Sequence, residues 1–102
     1  MAKLFNLSII TSDKTLYEGR VSSLIAPSKL GYLGVLADHA PLIATLASGK
    51  ITLREDSNEQ KVFDSKGGGL LEIMKNNVTI LLISLPIATI FLSTTIAFAV
   101  TS

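Results

Sequence analysis

The chain has 102 residues and a mass of 10.9 kDa, which is enough for one small domain around a single core. It contains no cysteine, so a disulfide framework, a thiolate zinc site and a cysteine nucleophile are excluded. The formal net charge is +1 with mixed signs, which gives no basic surface for nucleic acid. We therefore expect a small domain that binds no nucleic acid and gains stability from a protein partner.

The distribution of charge divides the chain in two. Every lysine, arginine, aspartate and glutamate lies between Lys3 and Lys75, so the sequence from Asn76 onward carries no formal side-chain charge. We expect a domain at residues 1–82 and an apolar tail at residues 83–102. Residues 1–13 lack the continuous apolar centre and the small-residue cleavage site of a signal peptide, which favours a start that faces the cytosol.

Short segments of alternating apolar and polar residues recur along the charged part of the chain. In the first of them, Phe5, Leu7 and Ile9 lie on one side and Asn6 and Ser8 on the other. This pattern and the turn residues around it predict strands at residues 4–10, 15–17, 20–26, 32–36, 41–46, 50–54, 61–64, 70–74 and 78–82. Turn signals recur about every ten residues, so we expect an all-β sandwich or barrel.

Proline and glycine mark three interruptions of this pattern. Pro27 has no backbone N–H, so it should end its strand or lie at a sheet edge. Glu18 and Gly19 are interpreted as a break between two strands. The three glycines at residues 67–69 should give the backbone room for a bulge or a tight crossover.

Asp38 and His39 are the chain's one candidate for catalysis, because a carboxylate can orient an imidazole that acts as a base. Neighbouring side chains in a turn usually point apart, however, and no nucleophile can be placed beside them. A single histidine with scattered carboxylates also matches no zinc or calcium ligand spacing. We therefore expect no catalytic, metal or cofactor site. An enzyme centred on this pair would lose its activity in a His39→Ala variant.

The sequence from Ile25 to Leu53, IAPSKLGYLGVLADHAPLIATLASGKITL, carries a family resemblance. It resembles the amino-terminal domain of the epsilon subunit of F-type ATP synthases. The similarity extends outward to residues 16–19, 67–71 and 77–81, and so covers about residues 4 to 82. Each piece is weakly specific, whereas the ordered set at the expected spacing is specific.

This resemblance implies a flattened ten-stranded β-sandwich in the rotating central stalk of the synthase. The subunit would be non-catalytic, need no cofactor, and couple the membrane-embedded c-ring to the gamma subunit, its two expected partners. Its location would be peripheral, at the cytoplasmic face of the bacterial inner membrane or, alternatively, at the plastid thylakoid. The runner-up is a free-standing β-sandwich interaction or ligand-binding module with a carboxy-terminal membrane anchor.

The resemblance also implies which residues face the c-ring loops: Tyr32, Leu33, Asp38, His39 and Pro41. The pair at residues 37–38 replaces the family's usual Pro-Gly, and the pair at residues 29–30 replaces a more acidic or glycine-containing one. A structural alternative is that the histidine only caps or hydrogen-bonds within the sandwich. The residues that face gamma cannot be ranked from sequence, because both faces of the sheets are partly apolar.

The tail at residues 83–102 differs from the family. Where family members have two charged helices, this sequence continues as ISLPIATIFLSTTIAFAVTS, without a charge and with Pro86 near its start. Three interpretations stay open: an anomalous carboxy terminus from a frameshift or truncation, a tail that packs on the sandwich or on a neighbour, and a membrane anchor. Regulation by a helical hairpin is not expected for any of them.

Overall fold

This computed structural model describes residues 3–83, which fold into eight strands. The strands are β1 (Phe5–Ile10), β2 (Thr15–Ser28), β3 (Gly31–Val35), β4 (Leu42–Leu46), β5 (Lys50–Glu55), β6 (Gln60–Asp64), β7 (Gly69–Met74) and β8 (Asn77–Leu82). The predicted all-β sandwich is confirmed, and every predicted strand overlaps an observed one. The described residues contain eight strands, compared with the ten that the resemblance implied.

The strand β2 shows one reason for the difference, since the predicted break at Glu18 and Gly19 does not exist. Both residues pair with β1, Glu18 with Ser8 and Gly19 with Leu7, so the backbone stays extended. A side chain at Gly19 would approach the hydroxyl of Tyr17 to 2.8 Å. The glycine therefore makes room for a neighbouring aromatic residue and does not end the strand.

Two layers of four strands form the sandwich. One layer has the order β1-β8-β7-β4, and the other contains β3, β2, β5 and β6. The long strand β2 joins them, because its first half pairs with β1 and its last residue, Ser28, pairs with Leu46 of β4. The β1–β8 pair is parallel, and the other described pairs are antiparallel. Pro27 lies next to the last residue of β2, as predicted.

The core lies between the layers and is built from alternate residues of the strands. In β7, for example, Leu71 and Ile73 are buried whereas Leu70, Glu72 and Met74 are exposed. Each fully buried Leu or Ile contributes about 1.5–3 kcal/mol. The core consists of Phe5, Leu7, Ile9, Val21, Leu24, Ala26, Val35, Leu46, Ile51, Leu53, Leu71, Ile73, Val78, Ile80 and Leu82.

The glycine-rich crossover between β6 and β7 closes one end of the sandwich. Gly67 and Gly68 have φ values of 80° and 78°, which side chains rarely adopt. A Cβ at Gly68 would collide with the carbonyl oxygen of Leu46. The crossover also holds the start of the tail, because the N–H of Ile83 donates to the Gly68 carbonyl at 3.1 Å. The predicted role of this glycine cluster is confirmed.

The rest of the predicted tail, residues 84–102, lies outside the described residues. Within residues 3–83 there is no helix long and apolar enough to cross a membrane.

Candidate docking surfaces

Two hydrogen bonds fasten the turn between β3 and β4 to the turn between β7 and β8. The Asp38 backbone N–H donates to Asn76 Oδ1 at 2.6 Å, and Asn76 Nδ2 donates to Asp38 Oδ1 at 2.9 Å. Both residues have positive φ, 65° and 62°. Asp and Asn tolerate this conformation better than most other residues. Asp38 can therefore adopt a conformation that glycine adopts most easily, and its side chain adds a link that a glycine would lack.

Lys3 completes this contact from the amino-terminal side. Its Nζ donates to Asp38 Oδ2 in an ion pair whose side chains are 70% and 56% exposed. The hydrogen bond from Lys3, followed by that from Asn76, holds the pKa of Asp38 below its ordinary value. Because water screens an exposed pair, the Asn76 contact is the more durable part of the arrangement.

His39 follows Asp38 but takes no part in this network. Its Nδ1 lies 2.8 Å from the Ala40 carbonyl oxygen. In the tautomer that carries its proton on Nδ1, this N–H donates to the carbonyl. The Asp38 carboxylate is bonded to Lys3 and Asn76, so it does not orient the imidazole. The two neighbours thus form no catalytic dyad. The described residues also contain no group of three or more potential metal ligands.

Tyr32 and Leu33 lie near the start of β3, whereas the turn that contains Asp38 follows the end of this strand. Tyr32 is 68% exposed, whereas Leu33 is half-buried against the core. Both line a cleft of about 490 Å³ between the β2–β3 hairpin and β4, opposite Leu42 and Ile43. Pro41 borders a second depression that also contains Ile43. The five predicted site residues therefore form two groups, one with Tyr32 and Leu33 and the other in the turn at residues 38–41. Ile43 lines both depressions.

Around Ile43 lies an apolar surface that the sequence did not single out. The strand register places Thr45, Leu70, Leu81 and Ile10 in one row across β4, β7, β8 and β1. The next rows hold Ile43, Glu72, Thr79 and Ser8, then Met74, Asn77 and Asn6. We call this surface the Ile43 face and define it by its apolar members Ile10, Ile43, Leu70, Met74 and Leu81.

The Ile43 face is exposed and nearly free of charge. Ile43 is 70% exposed, and Leu70, Met74 and Leu81 are 48%, 50% and 42% exposed. Glu72 carries the one formal charge in its three rows. Soluble domains seldom leave an apolar sheet face uncovered, so such a surface marks an interaction site. A sequence signal existed in the neighbouring apolar pairs of β4, β7 and β8, because a strand that is apolar on both sides is typically covered on both sides.

The outer surface of the other layer is different. Its central row contains Ile25, Thr52 and Val62, but the rows beside it carry charged residues. Lys50 pairs with Asp64, and Arg54 Nη2 donates to Gln60 Oε1 at 2.9 Å. This mixture is typical of a solvated sheet face. The structure thus distinguishes the two outer faces by their charge and apolar exposure, which sequence reasoning could not do.

Comparison with known proteins decides the family. Residues 4–85 match the family model described as ATP synthase, Delta/Epsilon chain, beta-sandwich domain. The chain belongs to this family. It is 40% identical over 80 residues to the ATP synthase epsilon chain of Leptospira borgpetersenii, which covers 78% of this chain and 61% of the relative. It is 45% identical over 82 residues to that of Moorella thermoacetica, with coverages of 79% and 59%. The chain therefore spans less than two thirds of these delta/epsilon relatives.

Solved structures support the same delta/epsilon sandwich fold. One chain of the Euglena gracilis mitochondrial ATP synthase (OSCP/F1/c-ring) matches with a TM-score of 0.73 and 20% identity, covering 78% of this chain and 50% of that one. A chain of the Tetrahymena thermophila mitochondrial ATP synthase (central stalk/c-ring) matches with a TM-score of 0.66 and 18% identity, covering 98% and 82%. At these identities the likeness is one of fold.

Proposed function

We propose that this chain is the non-catalytic epsilon subunit of the central stalk of an F-type, proton-translocating ATP synthase. In that role it couples rotation of the c-ring to the gamma subunit and performs no bond chemistry. The observation that carries the proposal is a delta/epsilon sandwich whose apolar Ile43 face, with Glu72 as the one charge in its rows, lies beside a polar turn. Such a domain can bind two partners of different chemistry at once.

The Ile43 face is the surface we assign to the gamma subunit. Its apolar members provide the buried centre that a stable protein interface needs. The polar residues of its last row, Asn77 and Asn6, can form part of the rim. Because the whole face lies on one rigid layer, little conformational entropy is lost when it binds.

We assign to the polar loops of the c-ring the turn that contains Asp38, His39 and Pro41, together with the separate pair Tyr32 and Leu33 on β3. The network of Lys3 and Asn76 fixes the backbone of this turn before any partner binds. A prepared polar turn gives complementarity and register more than raw affinity. Membrane association then arises through the complex, at the cytoplasmic face.

The test is assembly with the two partners. The full chain is mixed with tagged gamma subunit and then with c-ring in detergent, and co-elution is measured. We expect a stable complex with gamma that also retains the c-ring. A soluble, folded chain that fails to bind gamma would contradict the proposal.

A pair of variants separates the c-ring turn from the gamma face. His39→Ala should weaken retention of the c-ring while gamma binding persists. Asp56→Asn, in the exposed β5–β6 hairpin, is the matched control and should change neither. Loss of gamma binding in His39→Ala, or equal c-ring retention in both variants, would contradict the assignment of the turn.

A further inference from the structure

Among residues 3–83, Ser65 is the one buried polar residue, with 0% of its surface exposed. It follows β6 and begins the crossover to β7. A buried hydroxyl costs free energy unless it forms hydrogen bonds, so its partners indicate why it is there.

Ser65 binds both ends of the turn between β4 and β5. Its hydroxyl oxygen lies 2.8 Å from the Ala47 carbonyl oxygen and 3.0 Å from that of Gly49. The hydroxyl has one proton to donate, and the Ala47 oxygen is the nearer acceptor. The Ser65 backbone N–H donates to the Gly49 oxygen at 2.8 Å, and the Ser65 carbonyl accepts from the Gly68 N–H at 2.7 Å. The crossover therefore fixes the backbone of residues 47–49.

The same turn packs against Tyr32. In the β2–β3 pair Tyr32 lies opposite Pro27, so the two side chains share one face of the sheet. A Cβ added to Gly49 would lie 2.9 Å from the Pro27 Cβ and 3.3 Å from the Tyr32 hydroxyl oxygen. The hydroxyl end of Tyr32 thus lies against the turn, at a residue that has no side chain.

Tyr32 is also part of the wall of the cleft of about 490 Å³ between the β2–β3 hairpin and β4. Pro27 and Gly49 do not line this cleft, so they contact the tyrosine from outside it. An exposed tyrosine can adopt several rotamers, and a contact at its hydroxyl end reduces their number. The position of the turn at residues 47–49 therefore sets the direction of the Tyr32 ring and the width of the cleft.

We propose that Ser65 is a positioning residue for Tyr32. Ser65 is buried and touches no partner itself. Through the turn at residues 47–49 it holds the Tyr32 ring in the orientation in which this residue meets the polar loops of the c-ring. The positioning concerns one chain only, whereas its consequence for the c-ring rests on the proposed function. Removal of the Ser65 hydroxyl releases the turn and gives the ring more rotamers.

Fluorine NMR of the full chain tests the positioning without a partner. The two tyrosines of the chain are labelled as fluorotyrosine, and their resonances are assigned with Tyr17→Phe. We expect Ser65→Ala to move the Tyr32 resonance at least halfway towards its position in the unfolded chain and to leave the Tyr17 resonance in place.

Ser22→Ala is the matched control, because the Ser22 hydroxyl also donates to a backbone carbonyl, that of Arg54 at 3.3 Å, in the middle of β2. This variant should move neither tyrosine resonance. An unmoved Tyr32 resonance in Ser65→Ala, or an equal movement in the two serine variants, would overturn the proposal.

A second variant acts on the turn and removes no side-chain hydrogen bond. Gly49→Ala should also move the Tyr32 resonance, because the new Cβ needs space that Pro27 and the tyrosine hydroxyl occupy. Gly34→Ala adds the same methyl group to β3 itself, where nothing lies within 4 Å, and should leave the resonance in place. The same response to both glycine variants would overturn the proposal, even where Ser65→Ala does not fold.

Affinity for the c-ring tests the consequence. It is measured with the complex of gamma and the full chain for the natural sequence, Ser65→Ala, Tyr32→Ala and the double variant. We expect Ser65→Ala to weaken binding about threefold in the natural background and to add nothing in the Tyr32→Ala background, because residues that act through one contact are not additive. Additive losses would overturn the proposal. Equal affinity of Tyr32→Ala and the natural chain would overturn the c-ring role of Tyr32, whereas the fluorine measurement decides the positioning by itself.

Discussion

Asp38 and Asn76 bind each other through two reciprocal hydrogen bonds, although 38 residues separate them in the sequence. The Asp38 backbone N–H donates to the Asn76 side-chain oxygen, and the Asn76 side-chain amide donates to the Asp38 carboxylate. The β3–β4 turn is thereby attached to the β7–β8 turn. This link sets the position of His39 and Pro41 at one end of the sandwich.

Removal of the Asn76 side chain should therefore destabilise the domain. Asn76→Gly keeps the positive φ accessible, so its cost reports on the two lost hydrogen bonds and should be about 1–2 kcal/mol in urea unfolding. Asn58→Gly is the matched control, because Asn58 also has positive φ, 71°, but no side-chain hydrogen bond within the described residues. Its effect should stay within about 0.5 kcal/mol. Equal losses in the two variants would contradict the link.

The Asp38 contact should also weaken in acid. Its pKa is lower in the folded chain than its ordinary value of 3.8, because Lys3 and Asn76 donate to the carboxylate. A carboxyl with a depressed folded pKa stabilises above its unfolded pKa, and this stabilisation is lost as the pH falls through the folded pKa. Unfolding midpoints measured below about pH 4 should fall more steeply for the natural chain than for Asp38→Asn. A profile unchanged by Asp38→Asn would show that the ion pair contributes nothing.

A substitution at Gly68 tests the close packing of the β6–β7 crossover against β4. Gly68→Ala should cost about 2–4 kcal/mol, because the new Cβ meets the Leu46 carbonyl and the backbone is left-handed. Gly34→Ala is its control, since nothing lies within 4 Å of the added carbon there. Thermal unfolding compares the two. A Gly68→Ala variant as stable as Gly34→Ala would mean that the crossover has a different conformation.

The Tyr17 phenol should lose its proton at a higher pH than an ordinary tyrosine. Its hydroxyl donates to Glu55 Oε2 at 2.6 Å, and desolvation, followed by this hydrogen bond, raises the pKa of the phenol to about 12. The chain has two tyrosines, so in Tyr32→Phe the phenolate absorbance reports Tyr17 alone. Its midpoint should lie near 12, and the folded state should lose stability as the pH rises from about 10 towards that value. A midpoint near 10 would argue against the contact.

Local sequence patterns predicted much of the fold. The alternation of Phe5, Leu7 and Ile9 placed β1 correctly, because one face of that strand is buried and the other is not. The break predicted at Gly19 was wrong, since pairing with β1 outweighs the low strand propensity of glycine. The resemblance supplied the turn at residues 38–41 as a candidate site.

Long-range pairing was beyond those patterns. Nothing near Asp38 in the sequence indicates that its partner is Asn76, because the strand order alone brings the two turns together. The Ile43 face has the same origin: Ile43, Leu70 and Leu81 are unremarkable singly and form a surface only through the register of three strands.

Binding of gamma to the Ile43 face can be measured with a matched pair of variants. The affinity of the full chain for the gamma subunit is determined for the natural sequence, for Ile43→Lys and for Val62→Lys. Both replaced residues are exposed strand positions, 70% and 48%, on opposite layers. We expect Ile43→Lys to weaken binding at least about tenfold, because a charge introduced into an apolar interface must be desolvated, and Val62→Lys to leave it unchanged. Equal affinity of Ile43→Lys and the natural chain, or a loss confined to Val62→Lys, would contradict the assignment.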